Sequence, residues 1–172
     1  MKVWVFLGVL AVCVAALTSP AAAQKQTRPR PTPTPVKPFV NQDVRTAKQT
    51  ASNQLSNVSG YLNRFTPLVQ TLNDLARDQK AGKLSKRAST DFDNAKKKLS
   101  LQLSDFKVGL TNLENDFRTK PALAKYFIKI QGITDLSVTT LDAANNSRFD
   151  TVRESLKGIV QRLTDTVAAM PG

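Results

Sequence analysis

Residues 84–118, LSKRASTDFDNAKKKLSLQLSDFKVGLTNLENDFR, decide the fold. Leu84, Ala88, Phe92, Ala95, Leu99, Leu103, Phe106, Leu110, Leu113 and Phe117 recur in steps of three and four. That spacing lays side chains along one face of an α-helix. Leu84, Ala95, Phe106 and Phe117 stand eleven apart, and so do Ala88, Leu99 and Leu110. Eleven residues over three turns is about 3.67 per turn, close to a straight helix. A helix with one such stripe requires partner helices to cover it.

The flanking segments supply them. Over 42–79 the apolar positions are Val44, Ala51, Leu55, Val58, Leu62, Phe65, Val69, Leu72 and Ala76. Pro67 lies off this stripe, which predicts a kink on the solvent side, with a break after Phe65 as the alternative. Gly82 ends this helix, and the short loop Lys80–Lys83 makes the next one antiparallel. Pro121 fits the first turn of a third helix over 122–169. Asn145-Asn146-Ser147 resembles a break, with Ser147 as a cap and Asp150 in the capping-box position. Yet Ile130, Leu141, Val152 and Leu163 are eleven apart, as are Phe127, Val138, Phe149 and Val160. That phase favours one long helix, kinked near Asn145. Gly60, Gly109, Gly132 and Gly158 fall inside the predicted helices.

No stretch alternates apolar and polar residues as a strand would, and no Asn-Gly or Asp-Gly hairpin signal occurs. The expected fold is therefore all-α. It is an elongated antiparallel bundle of three long helices (four if the third breaks near Asn145), forming one domain over 39–172.

The N-terminal part reads differently. Lys2 precedes the apolar run 3–17, then come Pro20 and Ala21-Ala22-Ala23, the pattern of a cleavable secretory signal over 1–23. The run is shorter than the ~20 residues of a typical membrane span. Residues 24–38, QKQTRPRPTPTPVKP, carry Lys25, Arg28, Arg30 and Lys37 without an acid. Alternating X-Pro excludes helix and central strand, so this arm is expected to be extended or disordered. It suits a spacer, a basic grip on anionic polymer or lipid headgroups, or an O-glycosylated stalk on Thr32 and Thr34.

Composition removes much chemistry. The 172-residue chain has no His, and its single Cys (Cys13) and single Trp (Trp4) lie in the signal. Imidazole-dependent triads, dyads and zinc sites are therefore excluded. Asp91 and Asp93, like Glu114 and Asp116, are two apart and diverge on a helix, so no metal site is expected and Asp93 is placed to pair with Lys97. No catalytic or cofactor-binding residue stands out, and no cofactor is implied.

The net charge of +12 does stand out. Lys80, Lys83, Lys86, Arg87, Lys96, Lys97 and Lys98 gather at the first hairpin and the start of the second helix. They read as a solvated face or as an anion-binding patch. No aromatic residue is placed to stack on bases, which makes nucleic acid a poor partner. The stretch 49–63 is polar but uncharged, a face suited to a partner chain or a surface. Asn57-Val58-Ser59 and Asn145-Asn146-Ser147 are sequons, making Asn57 and Asn145 glycosylation candidates in a eukaryotic source.

The sequence thus points to a secreted, non-enzymatic interaction or structural protein tethered by its basic arm to an anionic surface or polymer. An amphipathic carrier of lipid or another apolar ligand is one alternative, and a holdase-type chaperone is another. Signal cleavage has a direct consequence, because Trp4 leaves with the signal. Secreted protein should show no tryptophan emission on excitation at the indole band, and its presence would contradict cleavage at this position.

Overall fold

A computed structural model describes residues 41–171. The signal, the arm and the candidates Lys25, Arg28, Arg30 and Lys37 lie outside the described residues. Within them the chain is all-helical, and no strand occurs.

The first pass comprises α1 (Gln42–Phe65), a 3-10 turn (Thr66–Leu68) and α2 (Val69–Lys80). Asn41 caps α1 by accepting the Asp43 N–H at 2.8 Å. Pro67 lacks the N–H that a continuous helix needs, and the chain tightens there into one 3-10 turn instead of diverging. Pro67 is exposed, while Phe65 and Val69 on either side are both buried, so the apolar stripe continues across the turn.

Gly82 then closes α2 in a left-handed conformation with φ +66°. The Lys83 N–H bonds Asp78 O at 2.9 Å and the Gly82 N–H bonds Gln79 O at 3.0 Å, a Schellman motif. Ser85 accepts the Ala88 N–H at 3.2 Å and starts α3 (Lys86–Thr119). Pro121 stops α3, because the residue before a proline is driven out of the helical region and Lys120 adopts ψ 117°.

The expectation of one uninterrupted helix over 122–169 is corrected here. Pro121 opens a 3-10 turn (Pro121–Tyr126), followed by the single turn α4 (Phe127–Ile130), then α5 (Ile133–Asn145) and α6 (Phe149–Ala169). Two left-handed residues make the breaks. Gly132, at φ +82°, follows Gln131 at ψ 132° in a type II turn, and so lies between helices and not inside one. Ser147, at φ 56°, is the other. Arg148 N–H reaches Ala143 O at 2.8 Å and Ser147 N–H reaches Ala144 O at 3.0 Å, a second Schellman motif with serine where glycine is usual. Ser147 therefore ends α5, and the N-cap position of α6 falls to Arg148, which gives no side-chain cap. The break near Asn145 is the real one. Each new helix carries its own apolar stripe, so the spacing of eleven matches across the turns without any helix spanning them. Val138 shows the coincidence: it belongs to the series yet is exposed on α5. Ala95, placed in the stripe of α3, is exposed as well.

The passes run antiparallel in sequence. Gln79 of α2 bonds Ser89 and Asp93 of α3, while Tyr61 of α1 meets Phe106 further along. Ser100 of α3 bonds Asn145 at the end of α5, and Glu114 bonds the start of α5. Gly158 of α6 faces Leu136 of α5. Lys48 of α1 caps the far end of α6 by donating to Met170 O at 3.0 Å and Pro171 O at 3.2 Å. The shared core includes Val58, Leu103, Leu110, Phe117, Ile130, Ile133, Phe149, Ile159 and Leu163. Ser137 and Thr140 of α5 are buried and donate their hydroxyl protons to Thr134 O and Leu136 O of the same helix. Gly109 admits the Gln54 side chain, whose amide would lie 2.6 Å from a β-carbon there.

One carboxylate organises the α3–α5 junction. Glu114 is buried at 3 % exposure, and its two oxygens accept the Gly132 N–H at 2.8 Å and the Thr134 N–H at 2.9 Å. It caps α5 from another helix, a place where Gly132 has no side chain of its own to do so. Burial pushes the carboxyl up. The hydrogen bonds from Thr134 and Gly132 and the Arg118 guanidinium outweigh this and hold it below the usual glutamate range.

Two outcomes follow. Glu114→Ala should cost about 3 kcal/mol in urea unfolding, because charge-assisted bonds are lost and buried N–H groups stay unpaired. A depressed carboxyl contributes stability that is complete above its unfolded value and falls away as pH drops through that value to the folded one. Acid destabilisation below about pH 5 should therefore be shallower in Glu114→Gln than in the parent. Ser147→Gly should raise stability by about 0.5–1 kcal/mol in thermal unfolding, since glycine relieves the left-handed strain; a loss of stability would contradict the strained turn.

Candidate functional site

The basic cluster begins at the α2–α3 turn. Lys80 ends α2, Lys83 lies in the loop, and Lys86 and Arg87 occupy the first turn of α3. That turn contains no acid, so two cations sit at the positive end of the helix dipole. Lys97 stands eleven residues beyond Lys86, and Lys98 eleven beyond Arg87, which places each pair along one line of the helix. None of Lys80, Lys83, Lys86, Arg87, Lys96, Lys97 and Lys98 has a carboxylate within 4.0 Å among the described residues.

The expected Asp93–Lys97 pair does not form. Asp93 accepts instead from Gln79 Nε2 at 3.0 Å, across the hairpin. The carboxylate is spent on fastening α2 to α3, which leaves Lys97 unpaired.

Lys97 and Lys98 do not share a site. Lys97 borders a shallow groove of about 750 Å³ between α3 and α5, with Asp93, Ser100, Leu101, Leu141 and Asn145. Lys98 borders a different cleft, of about 270 Å³, between α1–α2 and α3. Lys96 touches both, and its ammonium lies 5.9 Å from the centre of the Phe92 ring.

The second cleft has an apolar wall of Phe65, Leu68, Leu72, Leu99 and Phe149. It lies where α2, beyond the Pro67 turn, packs along α6 and bonds α3 through Gln79 near its far end. Leu68, off the buried stripe, is 54 % exposed at its mouth. Tyr61 lines it too, edge-on to Phe106 at 5.3 Å and stacked on Phe65 at 6.0 Å. Burial pushes the Tyr61 phenol up to about 12, with Arg64 pulling weakly the other way. The hydroxyl is thus a neutral donor throughout the physiological range.

Arg64 and Tyr61 were not legible as site residues. Both lie on α1, far in sequence from the lysine cluster, and only the antiparallel hairpin brings them to Lys96 and Lys98. The pattern that could have marked them is the uncharged stretch 49–63 ending abruptly at Arg64.

The two sequons differ in setting. Asn57 is exposed on the middle of α1, beside the fully buried Val58. Asn145 is exposed at the last position of α5, and its Oδ1 accepts from Ser100 Oγ at 2.7 Å. Among the described residues no helix is long and apolar enough to cross a membrane. Compared with protein-family models, curated proteins and solved structures, the chain gives no match in any of the three.

Proposed function

We propose that the protein is a secreted, non-enzymatic interaction or structural protein that holds an anionic surface or polymer. The elongated helical bundle serves as the rigid body. The basic arm 24–38 serves as one grip, and the α2–α3 end of the bundle, taken by itself, as another. The observation that carries this reading is the run of unpaired cations from Lys80 to Lys97, set on a helix start that offers no acid to offset them. A solvated helix face usually mixes both signs at i and i+4. Over 80–98 seven cations stand against two acids, Asp91 and Asp93, so the net field is positive and available to an external anion. Lys86 to Lys97 span about 17 Å of helix at ~1.5 Å per residue. This is longer than the Debye length of ~8 Å at physiological ionic strength, so the patch suits an extended polyanion that follows it and not one small ion.

The mature protein should be retained on immobilised heparin and on anionic vesicles, and released by salt. Deleting 24–38 should move elution to lower salt, and the triple variant Lys86→Gln/Arg87→Gln/Lys97→Gln should lower it again. Retention that neither change alters would defeat the proposal.

A further inference from the structure

The cleft between α1–α2 and α3 joins a cationic rim to an apolar wall, and an anionic-surface grip does not require the wall. Its wall is apolar, formed by Phe65, Leu72, Leu99 and Phe149, of which Phe65, Leu99 and Phe149 also belong to the core. Its rim carries Arg64, Lys96 and Lys98, and no acid lines it. None of these three cations has an ion-pair partner among the described residues. The α3–α5 groove is larger but has Asp93, Ser100, Ser104 and Asn145 in its lining, which disfavours an apolar anion. The geometry therefore separates one apolar, cation-rimmed cleft from one polar groove.

We propose that this cleft binds a single-chain fatty carboxylate, its tail against Phe65, Leu72, Leu99 and Phe149 and its head among Arg64, Lys96 and Lys98. Size selects the class. Small-molecule sites usually hold about 300–1,000 Å³, and 270 Å³ lies just below that range. It takes one short or medium chain, not the two chains of a phospholipid. Charge selects the head group, since three unpaired cations favour an anion over an alcohol or an amine. The Tyr61 hydroxyl, which keeps its proton, is a further donor on the same wall. The exposed Leu68 extends the apolar surface to the mouth, where a chain enters.

The test is isothermal titration of the mature protein with dodecanoate below its micelle concentration, alongside dodecanol and diacyl vesicles. One saturable site is expected, at least tenfold weaker for dodecanol. Ala95→Phe, a change at an exposed position that fills the cleft, should weaken dodecanoate at least tenfold, and so should Leu68→Asp. Arg64→Gln/Lys98→Gln should bring dodecanoate down to the level of dodecanol. Circular dichroism and thermal unfolding of each variant confirm that the helices persist. Absence of binding, binding unchanged in Ala95→Phe, or binding to vesicles without binding to dodecanoate would each overturn the assignment. Heparin retention does not depend on Ala95 or Leu68, so this site and the polyanion grip fail separately.

Discussion

The Glu114 carboxylate is the constraint on which the second half of the bundle depends. A helix start leaves N–H groups without partners, and burying them unpaired costs about 1–3 kcal/mol each. Most helices solve this with a local Ser, Thr, Asp or Asn. At the start of α5 the position is taken by Gly132, which the type II turn requires for its positive φ. The cap must then come from elsewhere, and it comes from α3. This contact, with the Ser100–Asn145 bond at the other end, sets the register of α5 on α3. Through the short 146–148 turn it also fixes where α6 begins. Arg118 completes the arrangement by approaching Glu114 at 3.6 Å and covering the Phe127 ring.

The helical class was legible because it rests on local periodicity. So were the Gly82 stop, the antiparallel α2–α3 turn and the solvent-facing Pro67, each set by one residue's backbone limits. The breaks at Gly132 and Ser147 were not. A glycine inside an amphipathic pattern costs only ~1 kcal/mol relative to alanine, so the pattern alone does not expose it as a turn. Ser147 is harder still, because serine rarely takes a positive φ and its sequence context fits an N-cap better than a helix end. Apolar phase also misled. Three separate helices of similar period reproduce a spacing of eleven when the turns between them happen to preserve it.

The cleft was illegible for a related reason. Its residues come from α1, α2, α3 and α6, and no spacing within one helix predicts their meeting. What makes the cleft is a packing choice: beyond the Pro67 turn, α2 follows α6, and Asn73 donates to Asp150 at 2.7 Å across that contact. α2 bonds α3 through Gln79, two turns beyond Leu72. Leu68 and Leu72 line the cleft.

The charge is divided in a way that composition hides. The ion pairs of the described residues lie along α2, at the end of α3 and on α6, at Arg77, Arg118, Lys120, Arg153 and Lys157. The hydrogen-bonding acids are used structurally: Glu114 caps α5, Asp93 fastens α2 to α3, and Asp150 fastens α2 to α6. An acid committed to a fixed bond at one place cannot follow the lysines elsewhere. Of the +12 over the whole chain, residues 41–172 carry +7, and this charge is not spread evenly over the bundle. Residues 80–98 carry +5 of it, with Lys80, Lys83, Lys86, Arg87, Lys96, Lys97 and Lys98 against only Asp91 and Asp93. The needs of the fold fix where these acids sit, and the lysine-rich run 80–98 is left with only Asp91 and Asp93 to offset it.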